Sequence, residues 1–219
     1  MANKKFAGKK GVFGALLLLL LLVGLPIGSW YYLQTGLNYR IQTRAEMKDY
    51  ARMPGFTLQN YNDSLVQSSQ FQNGRLVGYF FSEPYAEQYG KILAQLHDQY
   101  DERDDVFFLT FNPDTSAAAR TRMAAFVEEY QLKDPQQCFF LSGEEGAMQS
   151  LAQACQLPFA EKEMSLEDNS LLFFADSLMV RGFYDLRDPQ ELKRLIRHIT
   201  FNIPLKQERE VVVKREKEK

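Results

Sequence analysis

Phe80-Phe81-Ser82-Glu83-Pro84-Tyr85-Ala86-Glu87 gathers rings, a proline and two carboxylates where an apolar run should turn into a helix. Glu83 and Glu87 stand four residues apart. On a helix that spacing puts both carboxylates along one face of the first turn. The positive end of the helix dipole favours their charged form and lowers their pKa. That suits a solvated, dipole-stabilised helix start, and it is the wrong direction for a general acid. With Asp168 added, the same carboxylates would make a hard-oxygen cation site, the second reading of this turn.

Other groups that carry chemistry are few. The chain has two cysteines, Cys138 and Cys155, and two histidines. The cysteine spacing fits no zinc or dithiol motif. Two readings stay open for them: a disulfide in an oxidising compartment, or two buried free thiols. His97 follows Glu87 on the same predicted helix, ~15 Å along the axis, and His198 lies on the last helix among apolar neighbours. Both read as ordinary surface or packed histidines. Met47, Met53, Met164 and Met179 form no Met-x-x-Met cluster and read as core or stalk residues. Asn62-Asp63-Ser64 matches a glycosylation sequon, an isolated match of little weight. No metal ligand set and no cofactor motif emerges.

These residues need a scaffold, and the hydrophobic pattern supplies one. Leu76 to Phe81, Val106 to Phe111 and Gln137 to Leu141 are continuous apolar runs of the kind that strands buried on both faces show. Gly55 to Leu58 and Asp63 to Val66 read as shorter extended pieces. Helices are predicted from Pro84 to Tyr100, from a Thr115 or Ser116 cap to Tyr130, and from a capping box at Ser142-Gly143-Glu144-Glu145 to Gln156. Leu171 to Ala175 and Met179 to Phe183 flank a hairpin at Asp176-Ser177. Asp188-Pro189 starts a last helix with Leu192, Leu195, Ile196 and Ile199 on one face. Strands alternating with helices and closing on a hairpin and a helix predict an α/β three-layer domain with a mixed sheet.

Ahead of this domain lies an uncharged run from Gly11 to Tyr39 centred on Leu16 to Leu22. Residues 12–33 as a helix span roughly 33 Å, enough for a bilayer core of about 30 Å. Trp30, Tyr31 and Tyr32 sit at its far end, where such rings favour the headgroup level. Pro26 would kink it, which membrane helices tolerate. The alternative is a cleaved signal peptide, against which stand the length of the core and the lack of a small-x-small site. Lys4, Lys5, Lys9 and Lys10 place the N-terminus in the cytoplasm by the positive-inside rule, with the domain beyond the inner membrane, periplasmic in a two-membrane bacterium.

The organisation expected is therefore a lysine-rich tail (1–11), a transmembrane helix (12–33), a juxtamembrane helix or stalk (34–53), one α/β domain (54–204) and a charged tail (205–219). That tail reads as a frayed, solvated end, the alternative being an edge strand or a docking contact at Val211 to Val213. The chain has 26 basic and 28 acidic residues. Without the four leading lysines the acidic excess is about six, which argues against nucleic acid as a partner. Lipid around residues 12–33 and a membrane protein are the partners expected.

Five segments in order give the domain a family likeness. Phe56-Thr57-Leu58 resembles the opening strand of the Sco/SenC family, and Gly78-Tyr79-Phe80-Phe81-Ser82 resembles its strand before the active loop. Phe111-Asn112-Pro113-Asp114 is similar to its Val-Asp-Pro signature and Leu141-Ser142-Gly143 to its Leu-Thr-Gly. Arg181-Gly182-Phe183-Tyr184-Asp185 is similar to its Arg-Gly-Tyr-Tyr-Asp. Residues 56 to 203 are covered. The resemblance implies a thioredoxin-like fold, a membrane anchor, and work on the copper centre of cytochrome oxidase. It also implies copper ligands in a Cys-Pro-x-x-Cys loop and a histidine before the penultimate strand. Aligned on Pro84, the cysteine positions hold Glu83 and Glu87. The histidine falls on Asp168 or Asn169, in Glu167-Asp168-Asn169-Ser170.

Cu(I) needs soft thiolate or thioether donors, and disulfide exchange needs a thiolate. A member with three carboxylate or amide residues at those positions is expected to be non-enzymatic. It would keep the fold as a binding or assembly module for a membrane respiratory complex. Tyr79, Phe80, Phe81 and Tyr85 crowd the loop. Tyr85 and Tyr79 are the interface candidates; buried rings there would be core, the reading favoured for all but Tyr85. The rivals are a copper chaperone with other ligands and a thiol oxidoreductase using Cys138 and Cys155.

Overall fold

The computed structural model describes residues 9–156 and 170–203 of the 219. Two compact units form, Met1–Glu46 and Met47–Lys219. The first is helical: α1 (Lys9–Leu19), a π-helical turn (Leu20–Gly24) and α2 (Leu25–Glu46). The Leu25 amide donates to the Leu20 carbonyl, five residues back. This widening directly precedes Pro26, whose ring would clash with a carbonyl of a regular preceding turn. The run from Leu16 to Glu46 covers 31 residues. It is long and apolar enough to cross a membrane and is longer than the ~20 residues a bilayer core requires.

The second unit is a mixed sheet with helices on both faces. Its strands are β1 (Ala51–Arg52), β2 (Thr57–Asn60), β3 (Leu65–Gln67), β4 (Arg75–Phe80), β5 (Val106–Asn112), β6 (Cys138–Ser142), β7 (Ser170–Ala175) and β8 (Met179–Asp185). Its helices are α3 (Ala86–Tyr100), α4 (Ala117–Glu129), α5 (Glu145–Gln156) and α6 (Pro189–Asn202). The strand order is β1-β8-β7-β4-β5-β6-β2-β3. β4 with β5 and β5 with β6 run parallel; the remaining pairs are antiparallel. This is the α/β three-layer architecture expected from the order of elements.

Alternation with period two feeds both layers. Val77 and Tyr79 of β4, Phe108 of β5, Phe140 of β6 and Phe173 of β7 enter one core with α3, α4 and α6. Leu76, Leu109, Phe111, Leu141 and Phe174 enter the other with α5 and the entry segment around Met53 and Phe56. A strand covered on both faces needs apolar residues at every position, which is why these runs are continuous.

Local chemistry sets the helix ends. Ser116 caps α4 by accepting from the Ala119 amide at 3.1 Å, and Asp188 caps α6 by accepting from the Gln190 amide at 2.8 Å. Ser142 does not stand directly before α5, as a capping box would require. Ser142 ends β6, its hydroxyl donates to the Gln59 carbonyl at 3.4 Å, and α5 starts at Glu145. Two features had no sequence signal. Strand β1 lies within the stretch assigned to the stalk, pairing Ala51 with Val180. Arg181 is the extra residue of a bulge in β8, between Gly182 opposite Phe173 and Val180 opposite Phe174. Its guanidinium holds Asp49 at 2.7 Å, fastening the chain just before β1.

Beyond the bulge, Tyr184 is fully buried and its hydroxyl meets His198 Nδ1 at 2.5 Å. The ring reaches there by passing over Gly182, where a Cβ would lie 2.7 Å from Tyr184 Cζ. Gly182→Ala is expected to cost about 1–3 kcal/mol through this overpacking. Gly146, on α5 with open space around it, should give the opposite sign: Gly146→Ala should gain about 0.4–1 kcal/mol. Urea unfolding of the full chain in detergent measures both.

Candidate functional site

The site grows from the parallel pairing of β4 and β5. In register from Arg75–Val106 to Phe80–Phe111, the two strands end at one level, and the Phe81 amide still donates to the Phe111 carbonyl at 2.8 Å. The turns that follow, Ser82–Tyr85 and Asn112–Asp114, therefore share one edge of the sheet. Ligand sites of open α/β sheets form at such carboxyl ends. Pro84 sits in the first turn of a 3-10 segment (Glu83–Tyr85) leading into α3. The neighbouring loop is stiffened by nested turns. Asn112 Oδ1 accepts from the Asp114 amide at 3.0 Å, and Asp114 Oδ1 accepts from the Ser116 amide at 2.9 Å.

Glu83 and Glu87 do not work as a pair. Glu83 turns to α4 and meets Arg122 Nε at 3.1 Å. The same guanidinium holds Asp114 Oδ2 at 3.0 Å, so one cation bridges both turns. Glu87 points along α3 to Lys91, 2.5 Å away. The hydrogen bond and charge of Lys91 lower the Glu87 pKa. Asp114 is lowered as well, first by the Ser116 amide and then by Arg122. A shallow cavity of about 210 Å³ lies between the turns, with Phe81, Pro113 and Met123 as its apolar wall and Glu83, Asp114 and Arg122 at its rim.

Among the described residues no three His, Cys, Asp or Glu side chains come together as a metal site. The donors present at the turn are carboxylates already paired with cations, a set that does not fit Cu(I). Asp168 and Asn169, expected at the family's histidine position, lie outside the described residues, as do Met164 and Val211 to Val213.

Tyr79 was an interface candidate and is core instead. It is 1% exposed and stacks on Tyr89 with centroids 4.0 Å apart. Tyr89 in turn bonds Thr110 through its hydroxyl at 2.6 Å. The Tyr79 hydroxyl lies under the turn and makes no well-formed hydrogen bond. Burial pushes its pKa up to about 12, which the Ser82 amide only partly opposes and the Tyr85 hydroxyl reinforces. Tyr85 is half-buried at the surface of the turn, and Phe80 and Phe81 are half-buried too. Phe81 packs edge-on to Phe126.

The two cysteines stand on opposite faces of the sheet. Cys138 belongs to the core under α3, α4 and α6, and Cys155 to the core under α5. Both are free and buried, and the sheet lies between the two cores they join. His97 meets Asp134 at 3.4 Å, and His198 is the buried partner of Tyr184. Neither reaches the turn. What sequence reasoning missed is Arg122, which tethers Glu83. Its only signal is its place one turn and a half into a helix that starts beside the Asn112–Asp114 loop.

Solved structures show which fold this is. A SCO1/SenC family lipoprotein from Bacillus anthracis matches with a TM-score of 0.54 at 15% identity, over 70% of this chain and 95% of the other. A putative electron transfer protein from Aquifex aeolicus matches with a TM-score of 0.55 at 13% identity, over 71% and 99%. ScoI of Arabidopsis thaliana, with copper bound, matches with a TM-score of 0.50 at 12% identity, over 68% and 99%. No protein-family model and no curated protein sequence matches. At these identities the likeness is one of fold: the domain is thioredoxin-like and resembles the Sco structures.

Burial pushes the thiols of Cys138 and Cys155 from an ordinary 9.0 up to about 12. At neutral pH both are protonated and inert to exchange. An aromatic disulfide reagent should label neither in the folded chain at pH 8 and both in denaturant. A folded-state pKa above the unfolded value means a contribution to stability that is complete below the unfolded pKa. It is lost as pH climbs towards 12. The urea midpoint should therefore fall steadily from about pH 9 upward, and replacing both cysteines by alanine should flatten that slope.

Proposed function

We propose that the chain is a membrane-tethered docking module. It serves the assembly or upkeep of a membrane respiratory complex, cytochrome oxidase being the leading case, with no redox or metal-transfer step of its own. The observation that carries this reading is the state of the turn after β4. The positions aligned with the family's two cysteines hold Glu83 and Glu87, tied to Arg122 and Lys91. The only two cysteines of the chain are buried in the cores on opposite faces of the sheet. Oxidase assembly is named for one structural neighbour, BsSco, a member of the Sco family of cytochrome c oxidase assembly proteins, and comes to this chain by fold analogy. In this reading the N-terminal lysines stay in the cytoplasm, residues 12–33 lie in the inner membrane, and the domain works at its outer face.

Crosslinking in intact membranes followed by mild detergent extraction should recover oxidase or oxidase-assembly subunits with the full chain. A chain that migrates alone and captures nothing would count against the proposal. Purified protein mixed with micromolar Cu(I) should lose the metal on desalting, whereas Glu83→Cys/Glu87→Cys should retain it, because two thiolates then face one turn. Copper held as firmly by the unaltered chain as by that double variant would favour metal transfer instead.

A further inference from the structure

The cleft between the two turns is unbalanced in charge. Glu83 and Asp114 share the single guanidinium of Arg122, each at about 3 Å, so the rim keeps one excess negative charge. Asp114 stays ionised well into acid because the Ser116 amide and Arg122 hold its pKa down. Beneath the rim the wall is apolar: Phe81, Pro113 and Met123. At about 210 Å³ the cavity is smaller than the roughly 300–1,000 Å³ of small-molecule sites. It has the size for one long side chain, the scale at which anchor residues fill pockets at protein interfaces.

We propose that this cleft seats an arginine side chain of a partner protein, an assignment that rests on the docking reading above and names its recognition chemistry. The aliphatic stem lies against Met123 and Pro113, and the guanidinium plane faces the Phe81 ring. Its N–H groups reach the carboxylates of Glu83 and Asp114 beside Arg122. Two carboxylates then face two guanidiniums and the excess charge is cancelled. Arginine suits the place better than lysine: its planar fork pairs with carboxylates, stacks on rings and is less strongly hydrated. Arg122 competes for the same carboxylates. It neutralises half of the rim charge in the free protein and sets how tightly the second cation is held.

The test uses the full chain in lipid nanodiscs with methyl-labelled methionine, the Met123 methyl being the reporter. The probe is acetyl-Gly-Arg-Gly-amide, compared with its norleucine and glutamate analogues. The arginine peptide should move the Met123 signal saturably and more strongly than either analogue. Binding should weaken about two- to fivefold in Glu83→Gln and in Asp114→Asn, and tighten by a similar factor in Arg122→Ala, the scale of a half-exposed ion pair. Equal response to norleucine, no response at Met123, or weaker binding in Arg122→Ala would each overturn the proposal. Crosslinking with Glu83→Gln/Asp114→Asn separates the two ideas. If the unaltered chain and this variant capture the oxidase subunits equally, the arginine seat fails and the docking reading stands. If the unaltered chain captures nothing, the docking reading itself fails.

Discussion

The parallel register of β4 and β5, unbroken from Arg75–Val106 to Phe80–Phe111, determines most of what lies at the site. It ends both strands at one level and brings the turn after each to the same edge. It sends α3 and α4 into one layer, where Tyr89 and Phe126 stack with centroids 6.0 Å apart. It also lets a guanidinium on α4 reach carboxylates on both turns. A slip of β4 by one residue would reverse the faces of Val77 and Tyr79 against α3 and separate Glu83 from Arg122. The aromatic filling of both cores holds this register, and the charged edge is its consequence.

The edge itself has the architecture of a reactive site and different chemistry. A strand end, a proline in the next turn and a helix start are all in place. The acidic groups there are exposed and paired with cations, while burial keeps the thiols protonated at neutral pH. Beneath the turn, Tyr79 occupies buried space with a hydroxyl that burial keeps protonated. A stable fold needs no reactive residue at this turn, because the flanking layers supply the stabilising contacts. Such a turn is free to change its side chains while its backbone course persists, so a shared fold does not fix a shared function.

Much of the scaffold was legible because each signal was local. The continuous apolar runs of β4, β5, β6 and β7 follow from two-sided burial. Ser116 and Asp188 cap their helices because each stands directly before the first helical residue. Ser142 looked equivalent and was not, since its hydroxyl goes to Gln59 across the sheet. β1 has two residues, and its pairing rests on Arg181 and Asp49, distant in sequence. The bulge that exposes Arg181 has no pattern of its own. At the site, the glutamates and their exposed setting could be read, but the bridge from Arg122 could not. The cysteines could not be assigned either: which face of the sheet each joins depends on strand parity and on the side α5 takes. Tyr79, in the apolar run, and Tyr85, after the proline, could be told apart in sequence, and the position of α3 makes the first core and the second part of the surface.

The central claim is that this surface works by docking and needs neither thiol. The most direct measurement places a photoactivatable phenylalanine at Tyr85, in the full chain, in living cells. The account predicts that Cys138→Ala/Cys155→Ala, shown to be folded, crosslinks to the same respiratory-oxidase subunit with the same yield as the chain with both cysteines. A crosslink seen with the cysteines and lost from the folded variant would contradict it.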